Sequence, residues 1–179
     1  MKRLIIFTLF MLTLGACSPP VNLNKVAQAN NRYGTYTVAY SERWFIDVQF
    51  GRVAFSTSEE GLEAYLVNAP VTGESTAGAV FVLPKGENLD TLEAVINTYQ
   101  ESLLIPLSNR EAFSENDKSG LSAIGSQTIS NIAVDVGVVV SDLGNAFGVV
   151  VYYTSAGKVN TSMNSARRMS STIAFVPNA

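Results

Sequence analysis

The chain has 179 residues with 12 basic and 15 acidic side chains, no histidine and a single cysteine. That length suits one domain with a full core, and the net charge of −3 excludes a nucleic-acid binder, which needs a concentrated basic surface. Without histidine there is no Ser-His-Asp triad and no histidine metal site, and with one cysteine there is no internal disulfide.

The first stretch carries an address. Lys2 and Arg3 precede an apolar run from Leu4 to Leu14, broken only by Thr8 and Thr13 and followed by Leu14-Gly15-Ala16-Cys17-Ser18. A positive start, about 11 apolar residues and small residues before a cut are the parts of a secretory signal. A membrane-spanning helix needs about 20 apolar residues, and Pro19, Pro20 and Asn22 end this run too early. With its cysteine the segment resembles a bacterial lipoprotein signal, in which Leu14, Gly15, Ala16 and Cys17 form the lipobox. The resemblance implies cleavage after Ala16, lipid on Cys17 and an extracytoplasmic domain held to the cell membrane. In a diderm bacterium Ser18, in place of Asp, implies the outer membrane facing the periplasm.

Removing 16 of 179 residues leaves 163, and the 10 basic and 15 acidic groups among them give a net charge of −5. Anchoring then rests on acyl chains and not on attraction to anionic lipid. Residues 17–32 read as a flexible tether reaching roughly 20 Å, and residues 33–179 as one globular domain.

Along that domain, Tyr36–Tyr40 has the composition of a strand and Trp44, the single tryptophan, follows it as a candidate core anchor or ligand platform. Phe45–Phe50 and Val53–Ser56 read as strands around a turn at Gly51. Ser58–Gly61 reads as a solvated turn, and Glu63–Ala69 and Gly78–Leu83 as two further strands. A helix is expected from Asn88 or Asp90. Leu89, Leu92, Val95, Ile96, Tyr99, Leu103 and Leu104 form its apolar stripe, Asp90 and Glu93 a capping pair, and Pro106 its stop.

Arg110–Gly120 is expected as a polar loop or irregular edge strand, with Ser122–Ile129 re-entering the sheet. The clearest pattern is a hairpin over Ile132–Thr154. A turn at Asp142–Asn145 sets Ile132, Val134, Val136, Val138 and Val140 on the same face as Phe147, Val149, Val151 and Tyr153. On the other face this register pairs Asp135 with Tyr152, and the mid-strand Gly137 and Gly148 imply a close approach or a bend. A second helix fits Asn160–Ser171, with Met163, Ala166 and Ser170 inward, before a last strand at Ile173–Val176. The elements define an α+β fold with a mainly antiparallel sheet.

Few groups are arranged for chemistry. Ser155-Ala156-Gly157-Lys158 matches the Ser-x-x-Lys of penicillin-recognising enzymes without their companion Lys-Thr-Gly. Glu115–Gly120 imitates the first half of a calcium loop, but Ser126 stands where a bidentate carboxylate belongs and Lys118 adds positive charge. Glu59, Glu60 and Glu63 could gather a cation or simply face solvent. Asp135 and Tyr152 form either a site or a structural hydrogen bond.

The order of elements resembles the PsbP-like family, shared by photosystem II extrinsic proteins, DcrB-type bacterial lipoproteins and a Ran-binding import factor. The residues that carry the resemblance are Tyr36–Trp44, with Ser41 where the family has proline, the Leu89–Leu104 helix, the Ile132–Thr154 hairpin and the closing Ser171–Phe175. It implies an α/β/α sandwich with two principal helices and an accessory or docking role. The expectation is a non-enzymatic lipoprotein without a cofactor or metal, bound to membrane through Cys17 and to another envelope protein. The alternative is a module binding a small ligand or cation between sheet and helix, with Asp135, Tyr152 and Trp44 as its candidate residues.

Overall fold

A computed structural model describes residues 21–178, so the expected signal and the lipobox residues Leu14, Gly15, Ala16 and Cys17 lie outside the described residues. The architecture is α+β and mainly antiparallel, a seven-stranded sheet with a three-stranded sheet and helices packed on its faces.

The chain opens with β1 (Lys25–Asn31), which pairs antiparallel with β2 (Gly34–Tyr40). This corrects the tether boundary, since Lys25–Asn31 was expected within the flexible segment. The strand lacks large apolar residues at its inward positions. Ala27 and Ala29 are buried at alternate sites beside Tyr36 and Val38, and small residues let β1 lie close to the core.

β3 (Phe45–Gln49) and β4 (Arg52–Ser56) form a hairpin whose turn holds Phe50 and Gly51 at positive φ. The next segment departs from expectation. Glu59–Leu66 is a helix, α1, where Glu63–Ala69 was expected as a strand. The Ser58 side chain accepts from the Gly61 N–H at 3.0 Å, and Glu59 and Glu60 sit in the first turn, where the helix dipole favours acids. Ser58–Gly61 is therefore a helix start. Gly61 is required by proximity, because a Cβ there would stand 2.5 Å from Ser56 Oγ.

β5 (Thr76–Pro84) leads to α2 (Leu92–Leu103), whose N-cap is Thr91, accepting from the Ala94 N–H at 3.1 Å, and not Asp90. Val95 and Ile96 are fully buried, with Leu89, Leu92, Tyr99 and Leu103 packed around them. Leu104 leaves the expected stripe: it takes the left-handed C-cap position and is 89% exposed.

β6 (Ser108–Glu115) and β7 (Lys118–Ile129) form a hairpin around Asn116 and Asp117, both at positive φ. β8 (Ile132–Asp142), β9 (Ala146–Ser155), α3 (Val159–Ser171) and β10 (Ala174–Pro177) complete the chain. The large sheet runs β3-β4-β5-β9-β8-β7-β6, and β10 joins β2 in the small sheet β1-β2-β10.

Strand alternation distributes one sheet over two cores. Val139, Val150, Tyr152 and Val80 face α3 and the small sheet. Val136, Val138, Val140, Phe147, Val149 and Val151 face α2. Tyr65 of α1 lies on this second side, its ring centroid 6.0 Å from that of Tyr153. The result is an α/β/α sandwich with α3 and the small sheet in one outer layer and α2 with the short α1 in the other. Tyr36 ties the small sheet to the large one through its hydroxyl, which donates to the carbonyls of Val80 (2.8 Å) and Gly51 (3.1 Å).

The β8–β9 faces are as expected except at Ile132, which is 43% exposed at the strand start, but their register differs. Asp142 pairs with Phe147, so the loop lies one residue further along and every pair moves by two positions. Asp135 stands opposite Thr154, and Tyr152 opposite Gly137. The Asp142 carboxylate accepts from the Gly144 N–H at 2.8 Å and from Lys85, which fixes the turn with Gly144 at φ +90°.

Candidate functional site

The turn after β2 sets the position of Trp44. Its N–H donates to the Ser41 carbonyl at 2.9 Å, and the buried Ser41 hydroxyl accepts from the Arg43 N–H. The indole is thereby laid on Phe55, with ring centroids 5.6 Å apart and planes inclined by 22°. Tyr152, fully buried on β9, is fixed from the other side. Its hydroxyl donates to the Val159 carbonyl at 3.0 Å, with Met163 Sδ 3.6 Å away. Burial raises the Tyr152 phenol above the ordinary tyrosine range, with Arg167 opposing and Asp135 adding to the shift, so the group is an uncharged donor.

Trp44 and Tyr152 line one open cavity of about 210 Å³ between the large sheet and α3. Its polar wall is a hydroxyl cluster. Thr76 Oγ1 and Ser162 Oγ lie 2.6 Å apart, and Thr57 Oγ1 accepts from the Thr76 N–H at 2.9 Å. Glu74 at the rim, largely exposed, pairs with the half-buried Lys158 at 2.8 Å, and Val21 closes the side from which the chain arrives.

Asp135, the third candidate, is elsewhere. It is only 7% exposed and accepts from Ser126 Oγ at 2.7 Å and from the Gly157 N–H at 2.6 Å. Its carboxylate therefore ties β7 and β8 to the turn that starts α3. The expected Asp135–Tyr152 contact is not formed, because the two-position register shift places Thr154 opposite Asp135.

The other sequence candidates are also occupied. The Ser155 hydroxyl donates to the Gly73 carbonyl at 2.8 Å while the Lys158 ammonium goes to Glu74, so the Ser-x-x-Lys residues do not address each other. In the calcium-like loop, Lys118 Nζ donates to the carbonyls of Ser171 (2.7 Å) and Ile173 (2.5 Å), and Asn116 Nδ2 to Ser171 Oγ (2.8 Å). That hairpin caps the end of α3. Glu59 and Glu60 face solvent at the start of α1. Among the described residues no group of three or more acidic side chains is placed to hold a metal ion.

A second concavity, of about 520 Å³, lies beside the β3–β4 turn and is lined by Tyr33, Phe50, Phe81 and Leu83, among others. Phe50 is 95% exposed. The Arg32 guanidinium lies over the Tyr33 ring at 4.5 Å, and Asn31 Nδ2 donates to the Val82 carbonyl, which holds the rim to β5. The sequence reading did not single out Phe50, although a phenylalanine before the glycine of a two-residue turn has no inward direction available.

Comparison with solved structures places this arrangement of layers. The solution structure of cyanobacterial PsbP (CyanoP) from Synechocystis sp. PCC 6803 superposes with a TM-score of 0.51 at 13% identity, covering 91% of this chain and 99% of that one. The fold is PsbP-like. The crystal structure of LpqN, a protein involved in cell envelope biogenesis of Mycobacterium tuberculosis, is also similar. Its TM-score is 0.47 at 13% identity, over 86% of this chain and 93% of that one. No protein-family model matches the chain, and no curated protein matches its sequence.

Proposed function

We propose that the chain is a lipid-tethered, extracytoplasmic accessory protein that docks another envelope protein and does no chemistry of its own. The observation that carries the docking role is Phe50, a phenyl ring presented to solvent by a pinned turn at the edge of an apolar groove. Gly51 keeps that turn tight against β1, where a Cβ would stand 2.8 Å from Asn31 Cβ, and its carbonyl accepts from Tyr36. Burying such a ring is worth about 1.5–3 kcal/mol, and interface energy concentrates in aromatic anchors of this kind. The partner is a protein loop with an apolar side chain to fill the groove and an acidic one to meet Arg32.

The anchor rests on the lipobox-like Leu14-Gly15-Ala16-Cys17. No helix among the described residues is long and apolar enough to cross a membrane. Val21, against the domain, follows Cys17 by four residues, a span of at most about 14 Å. A domain lipidated at Cys17 would sit against the leaflet, closer than the tether of roughly 20 Å expected from composition.

Brief cross-linking in membranes followed by gentle solubilisation tests both parts. The native chain should recover one protein in near-stoichiometric amount, and Phe50→Ala should lose it by about tenfold or more while its unfolding transition is unchanged. Recovery that is indifferent to Phe50→Ala refutes docking at this groove. Cys17→Ser should leave the membrane fraction, and a Cys17→Ser chain that sediments with membrane as firmly as before refutes the lipid anchor.

A further inference from the structure

The cavity between Trp44 and Ser162 is separate from the Phe50 groove, and its construction specifies a ligand. The apolar part of its lining is an aromatic stack, Trp44 on Phe55, with Ala166 of α3. Hydroxyls make up the polar part of the same lining. Of the Thr76–Ser162 pair, one hydroxyl donates to the other and leaves one hydrogen unspent. Thr57 Oγ1 accepts from the backbone and keeps its own hydrogen. The lining therefore offers hydrogen-bond donors to an acceptor together with an apolar face.

Charge narrows the class. The one carboxylate at the rim, Glu74, is engaged by Lys158, so the rim charges offset each other. An anionic ligand would find no unpaired cation in the wall, and a cationic one no unpaired carboxylate. A volume of about 210 Å³ exceeds the roughly 150 Å³ of an engineered cavity that takes benzene. It suits one six-membered ring with a short substituent. Sites that bind small molecules combine a largely apolar lining with a few placed polar groups, and this one has that composition.

We propose that this cavity binds a neutral amphipathic small molecule, a single apolar ring bearing one oxygen acceptor. The ring lies on Trp44, and the oxygen accepts from Thr57 or from the Thr76–Ser162 pair. The proposal is independent of docking at Phe50.

The protein carries its own reporter, because Trp44 is the single tryptophan. The full chain, held in a tryptophan-free amphipathic polymer, is titrated with cyclohexylmethanol while Trp44 emission is followed. Cyclohexanecarboxylate and cyclohexylmethylammonium serve as charged counterparts of the same shape. The expected result is a saturable emission change with the alcohol at about millimolar concentration, as suits eight heavy atoms, and at least tenfold weaker responses to both ions. Ser165 lines the cavity and is half-buried, so Ser165→Met can fill the space from the rim. It should abolish the response while leaving the melting temperature and the Phe50-dependent cross-link unchanged. A non-saturating response, one retained in Ser165→Met, or equal binding of either ion overturns the proposal. If Ser165→Met alters the melt, Ser162→Ala replaces it, and a response unweakened in that variant is equally fatal.

Discussion

Substituting Gly137 by alanine tests the packing that organises the centre of the molecule. Gly137 on β8 pairs with Tyr152 on β9, and the tyrosine ring lies directly across the glycine. A Cβ there would stand 2.1 Å from Tyr152 Cζ and 2.4 Å from its hydroxyl oxygen. Ordinary carbon contacts need about 3.5 Å or more, so the ring would have to move by over about 1 Å. It has little freedom to do so, being fully buried and tethered to the Val159 carbonyl at the start of α3. Overpacking of this kind costs about 1–3 kcal/mol, and leaving the buried Tyr152 hydroxyl without its acceptor adds about 1–3 kcal/mol. The gain from replacing a strand glycine is smaller, roughly 0.5–1 kcal/mol. The expected net loss is about 3 kcal/mol, or about 6–12 °C in melting temperature for a domain of this size. Urea melts followed by Trp44 emission give the free energy, with an unchanged slope showing that the transition is the same one. Tyr152→Leu removes the obstructing ring, so Gly137→Ala in that background should cost under about 1 kcal/mol, a coupling of about 2 kcal/mol. A single-variant loss below about 1 kcal/mol, or additive effects in the pair, would refute the account of Tyr152 as a ring wedged over glycine.

Two further outcomes follow from charges placed on backbone. Lys118→Met should destabilise the chain by about 1–3 kcal/mol, because two carbonyls at the end of α3 lose their donor. Burial lowers the Lys118 pKa from its usual value, and an equal stability for Lys118→Met would show that desolvation cancels those two bonds. At Asp142, burial alone raises the pKa, but the Lys85 hydrogen bond, the Gly144 N–H and the Lys85 charge outweigh it and hold the carboxyl below its ordinary range. A carboxyl depressed in the folded state contributes stability above its unfolded value, near 3.9, and loses it as pH falls through the folded value. Urea midpoints measured from about pH 5 to pH 2 should therefore fall less steeply in Lys85→Met than in the native chain, and parallel curves would refute the pairing.

What the sequence made legible, and what it hid, divides along the range of the interactions involved. The faces of β8 and β9 could be read because alternation is a local property. They survived an error in register because moving a loop by one residue shifts pairs by two and preserves parity. The register itself goes with a contact from Lys85, 57 residues from Asp142, which no local pattern displays. β1 was hidden because its inward residues are alanines, and α1 because its eight residues hold barely two turns of helical period. The glycines were more informative. Gly137 does lie under a ring, and Gly148 against Ile173, where a Cβ would meet Cδ1 at 2.7 Å. For the candidate site, Trp44 and Tyr152 were visible as aromatic residues in or beside strands, but the hydroxyls that give their cavity a polar wall were not. Thr57, Thr76 and Ser162 come from the end of β4, the start of β5 and α3, and Thr76 and Ser162 are 86 residues apart. Serine and threonine are common at helix caps and strand ends, so their types carry no signal until the sheet brings them together. Asp135 shows the opposite case. A buried acid in a strand invites a functional reading, yet its two oxygens are spent on Ser126 and Gly157. The acid that looked chemical is a fastener of the α3 turn, and the undistinguished hydroxyls are the groups left with hydrogens to donate.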